Sequence, residues 1–371
     1  MTTLAEQLDR AGGRPSGFDY LRICLASGVL IWHSMSLSYG PQWAVEATSG
    51  VGRGPVALPV PMFFAVSGFL VAASLSRNSA LTTYLALRGL RIIPALSTEV
   101  VLSALILGPI CTTLPLAAYF ASPGFTDYFL NIAGIIHYQL PGVFESNPFP
   151  KLVNGQLWTV PFEYASYAIL GVLGAIGLIK NRWLFLAAVL CAEAVALSIH
   201  LIAPHPSDGG IFGAVNSFRI VHIFFAAAVL FVFRDRVRMS FMLFLASAII
   251  TLALLVYVRP TGAYFISFPL AYATIYLGLL NPPKNALIAH GDFSYGIYLY
   301  GTPIEQFVVS WGAWTHHLWI VLAIAGTMTA LLAIGSWFLI EKPALGLRRF
   351  LARPLSARTA ASNPSPDRLQ S

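Results

Sequence analysis

The sequence predicts an all-α membrane protein, a polytopic bundle of about ten transmembrane helices with both termini in the cytoplasm. Its 371 residues are 57% hydrophobic and only 10% charged, and the mean hydropathy is +0.72. A soluble domain carries roughly 25% charged residues. Apolar runs of about 17 to 25 residues recur, and each can cross about 30 Å of hydrocarbon. These observations exclude a soluble globular protein.

The chain divides into a membrane domain with a polar segment at each end. Residues 1–17 are polar and lack the apolar core of a cleavable signal, so the first hydrophobic helix is expected to direct insertion from a cytoplasmic N-terminus. The membrane domain is predicted at 18–349. Residues 350–371 are rich in Pro, Ser, Ala and Arg, and they are predicted to form a disordered cytoplasmic tail because they bury too little apolar area.

Ten apolar stretches are long enough to span a bilayer. They lie at Leu21–Leu37, Ala57–Leu75, Ile92–Cys111, Trp158–Ile179, Trp183–Ile202, Ile211–Phe233, Phe241–Val258, Ala263–Leu280, Ala289–Ser310 and Leu318–Ile340. A further stretch, Phe125–Leu140, is short and carries Asp127, Asn131 and His137. We predict that it is re-entrant or interfacial.

Basic residues support this topology. Ten spans place about 18 of the 22 Lys and Arg residues on the cytoplasmic side, as the positive-inside rule requires. An eleventh span at 125–140 would invert every later loop. The same bias explains the net charge of +7 and the pI near 9.4, so no nucleic-acid partner is expected.

The cysteines and the isolated acidic residues add two expectations. The three cysteines, Cys24, Cys111 and Cys191, stand singly in apolar stretches, which indicates neither a disulfide framework nor a metal site. Ionisable side chains at membrane depth are costly. Glu99 and Glu193 are therefore expected to face polar partners or water.

Two ionisable residues share one face of the first span. The stretch FDYLRICLASGVLIWHS places Arg22 near its cytoplasmic end and His33 eleven residues later. Eleven residues return to within about 20° of whole turns and rise about 16 Å. Ionisable groups at this depth mark functional paths, and a neutral imidazole can deprotonate a hydroxyl. Alternatively, His33 only bonds a neighbouring helix and Arg22 extends to lipid headgroups.

Five stretches carry a resemblance to a known family. They are the Arg-x10-His helix Arg22–His33, MFFAVSGFL at Met62–Leu70, LRGLRIIPAL at Leu87–Leu96, GQLWTVPFEYASY at Gly155–Tyr167 and FSYGIYLYGTPI at Phe293–Ile304. A Glu-x-Pro element at Glu341 closes the last helix. With these motifs in this order, the sequence resembles the acyltransferase-3 family of integral-membrane O-acyltransferases, which modify cell-surface sugars and related acceptors.

The resemblance extends from about Asp19 to Arg349. No single motif is decisive, but an Arg-x10-His helix followed by Arg-x-x-Arg-Ile-x-Pro is rare. The chain departs from the family at Gly301, where many members carry a histidine before x-Pro. Any role of that imidazole therefore has no counterpart at this position.

The resemblance implies a donor and a set of catalytic residues. The donor is an acyl-coenzyme A, by family default acetyl-CoA, and no metal is implied. Arg22 and His33 are the implied catalytic pair, with His33 acting either as general base or as an acyl-carrying nucleophile. Arg88 and Arg91, three residues apart on one helix face, are predicted to bind the phosphates of coenzyme A, although positive-inside charge alone can also explain them.

Glu163 and Trp158 are the predicted substrate-binding residues. A carboxylate beside aromatic rings suits a sugar, because the rings cover its apolar faces and the acid accepts hydrogen bonds from its hydroxyls. An interfacial aromatic belt is the competing explanation for Trp158.

We therefore predict an acyltransferase that moves an acyl group, by default acetyl, from acyl-CoA to a hydroxyl of a surface or secreted carbohydrate. Its expected partners are a glycan or lipid-linked glycan and membrane lipid, and its expected location is a bacterial inner membrane. A carrier or flippase for a lipid-linked sugar or solute is one alternative, since buried His and Glu also occur in transporters. An acyltransferase acting on a small secreted metabolite is another.

Overall fold

The computed structural model describes residues 2–49, 52–77, 80–202, 217–258 and 261–351. The predicted disordered tail lies outside the described residues from 352 onward, as does the start of the predicted span Ile211–Phe233. The longer helices are α1 (Leu4–Arg10), α2 (Gly17–Tyr39), α3 (Pro59–Arg77), α4 (Leu81–Leu102), α5 (Val160–Ala175), α6 (Arg182–Ile202), α7 (Ser217–Val232), α8 (Phe241–Tyr257), α9 (Ser267–Gly278), α10 (Ser294–Val309) and α11 (Leu318–Ser336).

Short helical segments complete the architecture. A π-helical turn and one further turn extend α4 to Cys111, and a second π-helical turn extends α11 to Glu341. The other short segments are Pro41–Ala47, Arg53–Ala57, Leu116–Ala121, Pro123–Asp127, Tyr128–Ala133, Gly155–Thr159, Leu178–Lys180, Thr261–Tyr264, Ala286–Ala289, Ala313–Thr315, Lys342–Gly346 and Arg348–Leu351. The described residues contain no strand beyond two isolated bridges, so the all-α prediction is confirmed.

Five helical segments are long and apolar enough to cross a membrane. They are Gly17–Tyr39, Pro59–Arg77, Leu81–Cys111, Arg182–Ile202 and Leu318–Leu351. Large apolar side chains on their outer surfaces are exposed, including Ile110, Trp183 and Leu339. Contiguous apolar surface of this kind suits contact with lipid. The protein is therefore an all-α membrane protein.

The ambiguous stretch 125–140 does not form a spanning helix. Its helical pieces, Pro123–Asp127 and Tyr128–Ala133, are 5 and 6 residues long. The chain leaves the end of α4 at Thr112 and returns beside it, since the Thr112 hydroxyl donates to the Pro141 carbonyl at 2.7 Å. Both ends of the excursion thus lie on one side of the bundle, as the re-entrant or interfacial prediction requires.

The centre of the bundle is the contact between α3 and α7. A Cβ atom on Gly68 of α3 would lie 2.0 Å from the backbone oxygen of Phe224 in α7. Only glycine permits this close approach of two helices. Helix α2 packs against α3 on one side and against α10 on the other, and α10 packs against α11.

One end of the bundle, here called the amino-terminal face, carries α1. The Leu4 and Ala5 amides donate to the carbonyls of Val237 and Arg234 at 3.0 and 2.9 Å. On the same face, Arg182 lies 2.9 Å from Asp235, and this hydrogen bond lowers the pKa of Asp235. The opposite end is called the far face.

A proline inside α10 shapes the interior. Pro303 has no amide hydrogen, so it leaves the Leu299 carbonyl without its usual helical donor. The side-chain amides of Asn154 and Gln156 donate to that oxygen at 3.3 and 2.9 Å. The 154–156 segment is thereby held against the middle of α10.

Candidate active site

A cavity of about 150 Å³ opens between α2, α3, α4, α5 and α10. We call it the arginine cavity. Its polar lining residues are Arg22, Ser67, Arg88, Arg91, Thr159, Glu163, Tyr167, Ser294, Tyr295 and Tyr298. Four of the six site residues predicted from the sequence therefore line one space: the three arginines and Glu163.

Two of the three arginines are held by carboxylates. Arg91 Nη2 lies 2.6 Å from Asp292 Oδ2, and its Nη1 lies 3.3 Å from Glu341 Oε2. Arg22 Nε lies 3.4 Å from the same Asp292 oxygen, and its Nη2 lies 2.6 Å from Asp19. The charge of these two guanidinium groups is thus largely compensated at the mouth of the cavity.

Arg88 has a different environment. Its Nη2 donates to the Ser74 hydroxyl at 3.3 Å, its guanidinium lies 5.9 Å from the centre of the Tyr167 ring, and its buried Nε has no hydrogen-bond partner among the described residues. No described carboxylate lies within ion-pair distance of Arg88. A partly buried cation without an ion-pair partner is suited to bind an anionic ligand group.

Glu163 lies in the first turn of α5, where the helix dipole favours a negative charge. Its Oε1 accepts a hydrogen bond from Tyr167 Oη at 2.5 Å, and Tyr167 Oη is 3.0 Å from Ser67 Oγ. This chain of hydrogen bonds fixes the carboxylate against the cavity wall. Glu163 and the arginines share the cavity, so the cavity presents both signs of charge to a ligand.

His33 lies beyond the lining of the cavity. The imidazole is buried, and its Nδ1 is 2.7 Å from Thr302 Oγ1 on α10. Ser294, Tyr295 and Tyr298 line the cavity, and Thr302 follows Tyr298 by four residues on the same face of α10. His33 is therefore one helical turn past the deep end of the cavity, where Phe63 and Tyr298 place their ring centres 5.9 Å apart.

Trp158 does not line the cavity. Its ring packs edge-on against Phe162, with centres 6.2 Å apart, and Phe162 in turn contacts Phe218. The predicted stacking of Trp158 on a sugar gains no support from this position, which suits an aromatic belt better.

Several residues of the site escaped the sequence analysis. No sequence pattern marks Asp292 as a site residue, because its partners Arg22 and Arg91 are far away in the sequence. Thr302 lies inside a recognised motif, but nothing distinguished it from its neighbours. Glu341 belongs to a helix-closing Glu-x-Pro element, which gives no sign of its contact with Arg91. Among the described residues, no group of three or more His, Cys, Asp or Glu could hold a metal ion.

Comparison with known proteins identifies the family of the chain. The acyltransferase-3 family model, described as an acyltransferase domain, matches residues 16–340. The chain belongs to the acyltransferase-3 family. Family membership identifies the protein as an acyltransferase, and the match includes all six site residues predicted from the sequence.

Two known proteins align with this chain over most of their length. Nodulation protein 10 of Rhizobium leguminosarum bv. viciae is 31% identical, with the alignment covering 94% of this chain and 98% of the relative. An O-acetyl transferase of Shigella phage Sf6 is 26% identical over 91% of this chain and 96% of the relative. No solved structure matches this acyltransferase.

Proposed function

We propose that this acyltransferase moves an acetyl group from acetyl-CoA to a hydroxyl of a surface or secreted carbohydrate. The observation that carries the proposal is the relation between the arginine cavity and His33. Arg22 lines the cavity, and His33 lies eleven residues further along the same face of α2, an axial separation of about 16 Å.

This separation suits a particular kind of donor. A donor whose phosphates bind at the arginines must present its acyl group on a long arm to reach His33. Coenzyme A has this form, because its thioester lies at the end of an extended chain that begins at phosphate groups. Arg88 forms no ion pair with a described carboxylate and can therefore bind a phosphate, and charge-assisted hydrogen bonds of this type are strong. Coenzyme A is thus favoured over a small acyl donor.

His33 is the proposed catalytic residue. As general base, its imidazole takes the proton of the acceptor hydroxyl while the oxygen attacks the thioester carbon. The carbon–sulfur bond then breaks, and the thiolate takes the proton from the imidazolium. As nucleophile, the imidazole would instead receive the acyl group first and pass it to the hydroxyl. A trapped acetyl group on His33 would distinguish the second route.

Glu163 is proposed to bind the acceptor. Its carboxylate lies on the cavity wall at the far-face end of α5, and it can accept hydrogen bonds from sugar hydroxyls. One relative is named an O-acetyl transferase, which supports a hydroxyl as the accepting group. A glycan or lipid-linked glycan is the proposed acceptor.

The proposed topology has ten membrane passes with both termini in the cytoplasm of a bacterial inner membrane. In this proposal, the ten passes are assigned to helices α2 to α11, and five helical segments among the described residues are long and apolar enough to cross a membrane. The predicted distribution of Lys and Arg supports a cytoplasmic amino-terminal face. On this topology the arginine cavity opens toward the cytoplasmic pool of acyl-CoA.

The test is transfer of labelled acetyl from acetyl-CoA into glycan, lipid and small-molecule fractions of membranes. We expect wild type to label the glycan or lipid-linked glycan fraction and His33→Ala to label none, with equal amounts of inserted protein. Label in wild type that persists in His33→Ala would exclude His33 as the catalytic group. Absence of label with every acyl donor, from folded protein, would favour a carrier.

A further inference from the structure

The imidazole of His33 has one polar side-chain contact among the described residues, with Thr302. The Nδ1 and Oγ1 atoms are 2.7 Å apart. Both side chains are buried, with 7% of His33 and 1% of Thr302 exposed. A short hydrogen bond between two buried groups restricts the rotation of the ring. It therefore leaves Nε2 as the nitrogen available to a ligand.

The hydroxyl of Thr302 is used in an unusual way for this chain. In other helices, the hydroxyls of Thr251, Thr274 and Thr327 donate to the carbonyl four residues earlier. This back-bonding is common for helical threonines. The corresponding carbonyl for Thr302 belongs to Tyr298, and it accepts instead from the Gln156 side chain at 2.7 Å. The Thr302 hydroxyl has no hydrogen bond to that carbonyl, and its oxygen lies 2.7 Å from His33 Nδ1, where it can accept the Nδ1 hydrogen.

A neighbouring contact fixes the alignment of the two helices. Ser34, the next residue of α2, donates to Glu305, which lies one turn beyond Thr302 on α10, at 2.5 Å. Two consecutive residues of α2 are thus bonded to two residues of α10 one turn apart. The arrangement fixes both the height and the rotation of α2 against α10.

We propose that Thr302 is a positioning residue that holds His33 in the orientation and protonation state required for acyl transfer. The inference rests on the function proposed above. For Nε2 to take the proton of the acceptor hydroxyl, Nδ1 must carry a hydrogen, and Thr302 Oγ1 accepts it. The same hydrogen bond persists in the imidazolium, which then returns the Nε2 proton to the departing thiolate. A hydroxyl fulfils this role without adding a charge to the membrane interior.

The test compares Thr302→Val with Thr302→Ser in purified full-length protein. The substrates are labelled acetyl-CoA and the membrane fraction that becomes labelled with the wild-type protein. Valine keeps the shape of threonine but removes the hydroxyl, whereas serine keeps the hydroxyl. We expect Thr302→Val to lower kcat by about ten- to a hundredfold, the range found when a group that orients a metal-bound histidine is removed. KM for acetyl-CoA should stay unchanged, because the arginine cavity is untouched. Thr302→Ser should retain a kcat close to that of wild type, because its hydroxyl can form the same hydrogen bond.

Thr329→Val is the matched control. Thr329 is buried on α11, which packs against α10, and its hydroxyl has no hydrogen-bond partner among the described residues. If Thr329→Val lowers kcat as much as Thr302→Val, the effect is one of packing and the proposal is wrong. Equal loss in Thr302→Ser and Thr302→Val, or full kcat in Thr302→Val while His33→Ala is inactive, would also overturn it. Failure of wild type to transfer acetyl would instead reject the proposed function.

Discussion

Arg91 and Asp292 are separated by 201 positions in the sequence, and their guanidinium and carboxylate groups meet at 2.6 Å. Because Arg91 also contacts Glu341 and Asp292 also contacts Arg22, this pair joins α2, α4, the loop before α10 and the end of the last helix. Both terminal nitrogens of Arg91 are occupied by carboxylates. The two arginines of the Arg-x-x-Arg motif therefore have different surroundings: Arg91 is paired with carboxylates, whereas Arg88, proposed above to bind the donor, forms no ion pair with a described carboxylate.

The first prediction concerns the stability that Arg91 supplies. Glu341 is only 2% exposed, and Arg91 is its one cationic partner among the described residues. Arg91→Met leaves a buried carboxylate unpaired, which should cost about 3 kcal/mol in the free energy of unfolding. The double variant Arg91→Met/Glu341→Gln removes that charge and should recover part of the loss. Thermal unfolding in detergent measures both, and a double variant no more stable than Arg91→Met would contradict the pairing.

The second prediction concerns donor binding by Arg88. Arg88→Met removes a cation that forms no ion pair with a described carboxylate, and it breaks a 3.3 Å hydrogen bond to Ser74 and the contact with the Tyr167 ring. Loss of a charge-assisted hydrogen bond of about 1.5–3 kcal/mol should raise KM for acetyl-CoA by about ten- to a hundredfold. The unfolding temperature should change less than in Arg91→Met.

Arg77→Met is the control for Arg88→Met. Arg77 ends α3 and is exposed, and it does not line the cavity, so its removal changes the overall charge equally without touching the site. An equal rise of KM for acetyl-CoA in Arg77→Met would mean that Arg88 acts through the overall electrostatic potential of the protein rather than by direct contact with the donor.

The all-α membrane fold is predictable from the sequence because hydropathy depends on whether a segment lies in lipid or in water, and not on which helices it contacts. The excursion at 125–140 is an example: its polar residues argue against crossing, and the hydrogen bond from Thr112 to Pro141 agrees. Carboxylates at membrane depth are expected to face polar partners, and Ser103 and Ser267 donate to Glu99 and Glu193 at 2.7 and 2.6 Å. These expectations are confirmed.

The site was predicted less completely, for a physical reason. Helical spacing relates residues on one helix, so it finds Arg22 with His33 and Arg88 with Arg91. It does not show which residues of other helices meet them. Asp292 and Thr302 become visible only when α10 packs against α2, and the different surroundings of Arg88 and Arg91 depend on the same packing.

The third prediction concerns Glu163. Replacement by Gln removes the charge while keeping the shape, and a neutral amide accepts hydrogen bonds from sugar hydroxyls more weakly than a carboxylate. We expect KM for the acceptor to rise about tenfold, with a smaller change in KM for acetyl-CoA. Glu145→Gln, at an exposed carboxylate in the 112–160 segment, serves as the control. A rise confined to KM for acetyl-CoA would assign Glu163 to the donor instead.

The fourth prediction concerns the proline in α10. The Leu299 carbonyl, left without a helical donor by Pro303, accepts from both Asn154 and Gln156, so either amide can satisfy it when the other is lost. The double change Asn154→Ala/Gln156→Ala leaves a buried carbonyl unpaired, which should cost about 1–3 kcal/mol in unfolding free energy. Each single change should therefore cost less than half of the double change. Adding Pro303→Ala restores an amide donor and should recover stability in the double variant. Additive single effects, or no recovery, would show that the two amides stabilise α10 through other contacts.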